Sequence, residues 1–434
     1  MRPKTRQLEL TLEERGETPK GQRSGEAGRP AWGGERSGSD GLLMEQVVAR
    51  ENALAAFKRV RSNKGSPGIN GMTVRELEAY LREHWNVIRE QLLAGTYQPS
   101  AVKRQLIPKS GGGMRQLGIP TVLDRFVQQL ILQVLQPIFD PTFSEHSHGF
   151  RPGRKAHNAV REAQRYIQEG RRWVVDVDLE KFFDRVNHDV LMGKLRNRIT
   201  DRRVLRIIRR FLEAGVLADG VVVERNEGTP QGGPLSPLLA NVLLDEVDKE
   251  LERRGHRFVR YADDCNIYVP SRRAGERALA VLRLMYAKLK LRVNEEKSAV
   301  ARVWDRKFLG YSFWVARGRE VKRRVSPKAL EELKHRVRAL TSRTGGKSLE
   351  HVCSELGTFL RGWKEYFRLA ETPGVFRELD QWFHHRLRAI HIKQSKQARC
   401  WWRSSTSPSV HTALPGSYFD RLGVPRLAAH TSTR

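Results

Sequence analysis

The sequence predicts an α+β fold in which strands in the middle of the chain lie between two mainly helical regions. Apolar residues recur at helical spacing after Leu42 and again after Ser326. Between them, residues 171–179 and 257–270 are short runs rich in Val, Ile and Tyr, typical of buried strands. Acidic residues end or interrupt both runs, so a functional site is expected there, because unpaired carboxylates are costly near a core.

The N-terminal region divides into a tail and two helices. Residues 16–41 are rich in Gly, Arg and Ser with few apolar residues, which indicates that residues 1–41 form a disordered basic tail. Apolar periodicity predicts helices within residues 42–60 and 74–93, and the Gly- and Pro-containing loop NKGSPGINGMT lies between them.

The next segment, QLIPKSGGGMRQLGIP, predicts two short strands joined by a glycine turn. Lys109 and Arg115 lie on either side of that turn. A strongly apolar helix is predicted over residues 122–139.

The middle of the chain predicts the strands that carry the acidic residues. The run RRWVVDVDL is a buried strand that ends near Asp178, and KFFDRVNHDVLMGKL has a helical pattern. The run RFVRYADDCNIYVP predicts a hairpin whose turn carries Asp263 and Asp264. Beyond Ser326 the sequence is helical and very basic.

These carboxylates have the chemistry of a magnesium site. Asp178 at a strand end and Asp263 and Asp264 in a hairpin turn would meet at one edge of a sheet, and Mg²⁺ prefers carboxylate oxygens. Two such ions catalyse phosphoryl transfer by activating the attacking oxygen and stabilising the leaving group. An isolated Asp-Asp pair is more often an ordinary turn. Asp176 is the main competitor for the metal role, because it lies on the same face of the strand as Asp178.

The charge indicates a polyanionic partner. Lys and Arg number 79 against 49 Asp and Glu, a formal charge of +30. Such self-repulsion is usual where nucleic acid neutralises it. A membrane surface is disfavoured, because the basic residues are spread along the chain and not gathered on one amphipathic helix.

The cysteines and the hydropathy predict the compartment. Cys265, Cys353 and Cys400 form no CxxC pair, so neither a disulfide framework nor a zinc site is indicated. No run of about 18 apolar residues and no signal-peptide core occur, so we expect a soluble, intracellular protein without a membrane partner.

Five blocks follow one another in an order that resembles the reverse transcriptases encoded by group II introns. They are VVDVDLEKFFDRVNHD, EGTPQGGPLSPLLANVLLDEVDKEL, RYADDCNIYV, LKLRVNEEKSAV and KFLGYSF. Each block alone is weak evidence, and their joint order makes the match specific. The resemblance runs from about Leu42 to the C-terminus and implies a right-hand polymerase: fingers, a palm with an antiparallel sheet, a helical thumb and a basic C-terminal extension.

The resemblance implies a catalytic role for four residues. Asp178, Asp263 and Asp264 match the metal ligands of the family, which hold two Mg²⁺ ions. Asp178 is preferred over Asp176 because Phe183 follows it at the family's spacing. Lys297 falls where polymerases place a general acid for pyrophosphate.

Five further residues match the family's nucleotide-binding positions. Phe183 corresponds to the aromatic residue under the sugar, where a ring excludes a 2′-hydroxyl. Lys109 and Arg115 correspond to fingers residues on the triphosphate, which suits a point charge and a forked donor. Gln231 and Gly232 correspond to contacts with nucleotide and template. Taken singly, Phe183 could be core, and the others could be turn or loop residues.

The resemblance also divides the chain into regions. They are a tail (1–41), an N-terminal extension with fingers (42–170), a palm with part of the fingers (171–315), a thumb and maturase region (326–395) and a shortened DNA-binding region (396–434). In the thumb, Trp363, Tyr366 and Phe367 either stack on bases or pack between helices, and packing is the preferred interpretation.

The histidines and the C-terminal region indicate less about the function. His146, His148 and His157 have no acidic partner at metal spacing in the sequence, so they are interpreted as structural or RNA-contacting. The basic stretch between His391 and Trp401 is shorter than is usual in the family, and no His/Cys nuclease module follows. Both features resemble the short class without an endonuclease domain, similar to group IIC.

The sequence therefore predicts an RNA-directed DNA polymerase that also acts as a maturase, binding intron RNA to assist splicing and mobility. Its partners would be intron RNA, an RNA template, a DNA primer or target, and dNTPs. Two alternatives stay open on the sequence: a domesticated host reverse transcriptase for DNA repair or phage defence, and an RNA-binding splicing cofactor without polymerase activity. The intact set of Asp178, Asp263 and Asp264 argues against the last, because crowded carboxylates have no folding benefit.

Overall fold

A computed structural model describes residues 42–428 except 109–112, 219–220, 224–226, 230–231, 343–345 and 395–407. The described chain forms two compact units that interleave along the sequence. The first contains residues up to 107, 116–138 and 188–236, and the second contains 108–115, 139–187 and the chain from 237 onward. The predicted N-terminal tail and residues 396–407 and 429–434 of the proposed DNA-binding region lie outside the described residues.

The first unit is mainly helical. Its helices are α1 Leu43–Val47, α2 Arg50–Asn63, α3 Leu77–Leu93, α4 Val122–Phe139, α6 His188–Arg196 and α7 Arg202–Glu213. The predicted helix over residues 42–60 is divided, because Ala49 adopts an extended backbone (φ −59°, ψ 144°) between α1 and α2. The helical prediction for residues 181–195 is correct only from His188 onward; before it the chain makes a single 3₁₀ turn, Phe182–Asp184.

A four-stranded sheet completes the first unit. Its strands are β1 Val102–Pro108, β2 Met114–Ile119, β4 Val216–Ala218 and β5 Val221–Val223, in the order β2-β1-β4-β5. The predicted pair of strands around the glycine turn is therefore confirmed. The start of α4 is fixed by Asp124, which is buried and accepts hydrogen bonds from Tyr97 Oη (2.8 Å) and Thr121 Oγ1 (2.6 Å).

The second unit is built on an antiparallel sheet, here named the central sheet. Its strands are β6 Arg257–Tyr261, β7 Asp264–Val269, β3 Trp173–Val177 and β8 Ala299–Arg302, in that spatial order. The predicted buried strand (β3) and the predicted hairpin (β6 and β7) are three of its four strands, and β8 was not predicted. Helix α9 (Arg272–Lys288) covers one face so closely that a Cβ on Gly275 would lie 2.5 Å from Val300.

Helices and a hairpin form the rest of the second unit. The helices are α5 Ala156–Gln168, α8 Ser236–Arg253, α10 Pro327–Leu340, α11 Leu349–Tyr366, α12 Pro373–Gln394, α13 Pro408–Ala413 and α14 Gly416–Arg421. The hairpin, β9 Tyr311–Val315 and β10 Val321–Val325, was not predicted. Phe367 is buried, with its ring 4.6 Å from that of Trp363 and 5.2 Å from that of Tyr311, which confirms packing within the fold for that residue.

Within the part of the chain that the structure describes, none of the helices combines the length and the apolar composition needed to cross a membrane.

Candidate active site

The register of the central sheet places the acidic residues on one face and at one edge. Val177 pairs with Cys265 and Asp176 with Asn266 across β3 and β7. One step further along the same register, Asp178 stands opposite Asp264. Because side chains alternate along a strand, Asp176, Asp178 and Asp264 all point to the face opposite Cys265.

The loop after α9 fixes the backbone of Asp178. Asn294 donates its N–H to the Asp178 carbonyl (2.8 Å), and the Asp178 N–H donates to Ser298 Oγ (3.0 Å). Lys297, in the same loop, brings its ammonium Nζ to 3.4 Å from Asp178 Oδ2. The Lys297 side chain is 66% exposed and that of Asp178 is 32% exposed, so both remain reachable from solvent. The structure thus brings together two residues that lie 119 positions apart in the sequence.

Asp176 is paired with an arginine. Arg306 donates from Nε to Asp176 Oδ2 at 2.8 Å, and its Nη2 lies 2.6 Å from the same oxygen. The other bond from Arg306 Nη2 goes to the Lys297 carbonyl (2.5 Å). Burial raises the pKa of Asp176, and the Arg306 guanidinium opposes that shift. Arg306 therefore compensates the charge of Asp176 and supports the backbone that carries Lys297.

The turn of the β6–β7 hairpin is tighter than predicted. Tyr261 pairs with Asp264, so Ala262 and Asp263 alone form the turn and Asp264 is the first residue of β7. Ala262 has a φ of +59°, in the left-handed region that usually requires glycine at the first position of such a turn. Asp263 is therefore presented at the tip of the hairpin, next to Asp264.

The carboxylates repel one another at this edge. The pKa of Asp264 is raised to about 7, by desolvation first and then by the negative charges of Asp263, Asp176 and Asp178. No group of three or more Asp, Glu, His or Cys side chains among the described residues is drawn together as a metal-binding cluster by the protein alone.

Phe183 lies in the short turn that follows Asp178. The backbone reverses at Lys181, which has a φ of +45°, and continues into the 3₁₀ turn Phe182–Asp184. Phe182 is buried, whereas Phe183 is half-buried and packs edge-on against it, with ring centroids 5.1 Å apart. Of the two rings, that of Phe183 is therefore the one partly exposed to solvent.

The remaining predicted nucleotide-binding residues are described only in part. Lys109 and Gln231 lie outside the described residues, and Arg115 lies in β2. Gly232 has a φ of +134°, and a Cβ there would lie 2.8 Å from the Gly118 carbonyl oxygen. A glycine is therefore required at position 232 for the loop to pack against β2.

The interpretation of two histidines needs correction. His146 and His148 do have an acidic partner: both bind Glu162 on α5, at 2.7 and 2.6 Å. The pKa of Glu162 is lowered because these hydrogen bonds and one from Tyr166 outweigh the effect of burial. The partner was missed because it follows by 14 to 16 positions and is brought close only by the fold. These hydrogen bonds join both histidines to α5, as the structural interpretation expects.

Comparisons with known proteins agree with this arrangement. Residues 107–313 match the family described as reverse transcriptase (RNA-dependent DNA polymerase). Residues 330–406 match the group II intron, maturase-specific domain. The chain thus carries the domain of an RNA-directed DNA polymerase followed by a maturase domain.

Individual relatives place the chain in a family. Protein YkfC of Escherichia coli is 32% identical over 325 residues, which cover 65% of this chain and 85% of that protein. Group II intron-encoded protein LtrA of Lactococcus lactis subsp. cremoris is 38% identical over 195 residues, 45% of this chain. The match spans only 32% of LtrA. Among solved structures, a chain of the partial Cas6-RT-Cas1–Cas2 complex covers 56% of this chain and 42% of its own length, with 28% identity and a TM-score of 0.37.

The chain belongs to the reverse transcriptases and maturases of group II introns. The predicted fold class, an α+β right-hand polymerase, is thereby confirmed.

Proposed function

We propose that this protein copies RNA into DNA at the edge of the central sheet, with Asp178, Asp263 and Asp264 as ligands of two Mg²⁺ ions. The observation that carries the proposal is the register of β3 and β7, which sets Asp178 opposite Asp264 on a solvent-accessible face. In this proposal β3, β6, β7 and β8 are the palm, and the helices after Ser326 are the thumb.

The residues at this edge fit divalent cations. They offer hard carboxylate oxygens, and a cation would offset the desolvation and the mutual repulsion that together raise the pKa of Asp264. Mg²⁺ takes one or two carboxylates from a protein and completes its shell with substrate phosphates and water, so a closed protein cage is not required. When bound, the two ions would activate the primer 3′-hydroxyl and stabilise the leaving pyrophosphate.

Lys297 is proposed as the group that meets the leaving pyrophosphate. Its ammonium is exposed and lies beside Asp178, and the hydrogen bond from Arg306 to its carbonyl holds the backbone of that loop. A flexible ammonium with three donors is suited to a phosphate that departs. Arg306 acts through Lys297 and by neutralising Asp176, so it is a positioning residue.

Replacing Arg306 tests whether the action of Lys297 depends on it. We expect Arg306→Gln to lower kcat for primer extension about tenfold, a usual effect for residues that orient a metal site from outside it. Lys297→Ala should lower kcat at least as much, and the double variant should lose less than the product of the two single losses, because both act on the same loop. Single-nucleotide extension at saturating dNTP measures all three.

Arg272→Gln is the matched control for Arg306. Arg272 also pairs with a carboxylate, Glu276, but both side chains are exposed (69% and 55%), so its removal should change kcat less than twofold. Independent, multiplicative losses in the Arg306 and Lys297 double variant would contradict the proposed coupling.

The nucleotide would be held by residues carried over from the family resemblance. Phe183 is proposed to lie under the sugar, Lys109 and Arg115 to bind the triphosphate, and Gln231 and Gly232 to contact nucleotide and template. The half-buried position of Phe183 supports the first of these assignments. The close packing at Gly232 equally supports a purely structural need for glycine at that position.

The maturase domain would bind the intron RNA and assist its splicing and mobility. The match over residues 330–406 and the net charge of +30 support a polyanion partner for this region. The remaining partners would be the RNA template, a DNA primer or target and dNTPs. Location in the bacterial cytoplasm follows from this role.

Primer extension on a primed RNA template tests the proposal. With Mg²⁺ and dNTPs, purified protein should extend the primer, with and without the surrounding intron transcript. If the protein binds the intron transcript tightly and specifically but never extends the primer, its function is RNA binding without polymerase activity.

A further inference from the structure

We infer that Arg260 is a positioning residue for catalysis: its buried guanidinium, held by Asp248 and Asn241 on α8, fixes the turn that presents Asp263. The inference rests on the proposed function, because the position of that turn affects catalysis only if Asp263 binds a metal ion. All the residues concerned belong to the second unit.

Arg260 is completely buried, and every one of its donor nitrogens is used. Its Nε donates to both oxygens of Asp248 (2.8 and 3.0 Å) and its Nη2 to Asp248 Oδ2 (2.5 Å). The third nitrogen, Nη1, donates to Asn241 Oδ1 (2.9 Å) and to the carbonyl oxygen of Ala262 (2.8 Å). Both charged side chains are 0% exposed. A buried ion pair is at best weak evidence for stability, so this geometry calls for another explanation.

The bond to Ala262 supplies that explanation. Ala262 is the first residue of the two-residue turn, and it holds a φ of +59° although its Cβ disfavours that conformation. Strain of this kind persists only where the surroundings enforce it, and it is concentrated at functional sites. Arg260 enforces it here by binding the carbonyl that precedes Asp263.

Gly149 holds the same turn from the other side. A Cβ on Gly149 would lie 2.2 Å from the Ala262 nitrogen and 2.9 Å from the Tyr261 carbonyl carbon. The Gly149 carbonyl accepts a hydrogen bond from Asn241 Nδ2 (2.9 Å), so the amide that binds Arg260 also fixes this loop. The loop is further joined to β6 by the bond from the His148 N–H to the Arg260 carbonyl (2.8 Å).

Helix α8 is the rigid support for both contacts. Asn241 and Asp248 are seven positions apart, about two helical turns, so they lie on one face of the helix. One helix face therefore sets the guanidinium plane and the Gly149 loop together. A turn enclosed in this way presents the Asp263 carboxylate with little freedom, as a metal site requires.

Gly149→Ala tests the inference, with Gly68→Ala as a matched control. A Cβ on Gly68, in the loop between α2 and α3, would lie 2.6 Å from the Thr121 Cα, which is also a clash with backbone but in the first unit. For each protein we would measure Tm, Mn²⁺ affinity by electron paramagnetic resonance with Mn²⁺ as the only ligand, and kcat and KM for dNTP.

We expect both variants to lower Tm. Only Gly149→Ala should also weaken Mn²⁺ binding and lower kcat, each about tenfold relative to Gly68→Ala, with KM for dNTP changed less than threefold. Equal Mn²⁺ affinity and equal kcat in the two variants would overturn the inference. A wild-type protein that neither binds Mn²⁺ nor extends a primer would instead overturn the proposed function, so the two failures are distinguishable.

A rescue experiment keeps the test decisive if Gly149→Ala does not fold. Arg260→Lys retains the charge next to Asp248 but cannot reach Asn241 and Ala262 together with one ammonium. Glycine adopts a positive φ without strain, so Ala262→Gly added to Arg260→Lys should recover at least about threefold of the lost kcat. No recovery would show that Arg260 serves the fold alone.

Discussion

Asp263→Asn and Asp264→Asn should each reduce primer extension to below about one thousandth of the wild-type rate, because an amide cannot supply the charge that a pair of divalent ions requires. The affinity for a primed RNA template should stay within about threefold, since the basic surface is untouched. Single-turnover extension and equilibrium binding measure the two quantities on the same preparations. Because each change removes a repulsive charge, Tm should not fall.

Asp176→Asn is the control on the same face of the sheet. Its carboxylate is paired with Arg306, so its loss should lower extension far less than the loss of Asp263. Wild-type extension by Asp263→Asn or Asp264→Asn at saturating Mg²⁺ would show that the ligands were misassigned. An equally complete loss in Asp176→Asn would mean that Asp176 also binds metal.

Phe183→Val should reduce the preference for dNTP over rNTP by about 100-fold, near the upper range for discrimination by the shape of an apolar pocket. The half-buried ring of Phe183 is proposed to occupy the space that a 2′-hydroxyl would need, and valine vacates it. The ratio of kcat/KM for a matched pair of dNTP and rNTP measures the effect.

Phe182→Leu separates a sugar contact from general packing. Phe182 lies next in the chain, has the same ring and is buried in the core. Its substitution should lower Tm by the loss of apolar contacts and leave sugar selectivity unchanged. Unchanged selectivity in Phe183→Val would assign Phe183 to the core as well.

The sequence predicts those parts of the site that depend on local pattern. The strand ending near Asp178 follows from its run of Val and Trp, and the β6–β7 hairpin follows from apolar residues on both sides of the acidic pair. Lys297 was assigned only through the family resemblance, and it lies 3.4 Å from Asp178. Its role stays a proposal.

Long-range partners could not be predicted in the same way. Arg306 and Asp176 are 130 positions apart, and nothing in either local pattern selects one for the other. The left-handed Ala262 is equally hidden, because alanine gives no sign of a positive φ. Arg260 does give a signal, since an arginine inside the apolar strand RFVRY requires a buried partner. The sequence shows that a partner is needed, and only the fold identifies Asp248.

Anomalous scattering from Mn²⁺ tests the central claim most directly. The crystal would contain the protein, an RNA template with a DNA primer that lacks its 3′-hydroxyl, the incoming dNTP and Mn²⁺. We predict two peaks about 4 Å apart, bound by oxygens of Asp178, Asp263 and Asp264 and by the triphosphate. Peaks on Asp176 in place of Asp178, or ordered dNTP with no metal on these three carboxylates, would contradict the account.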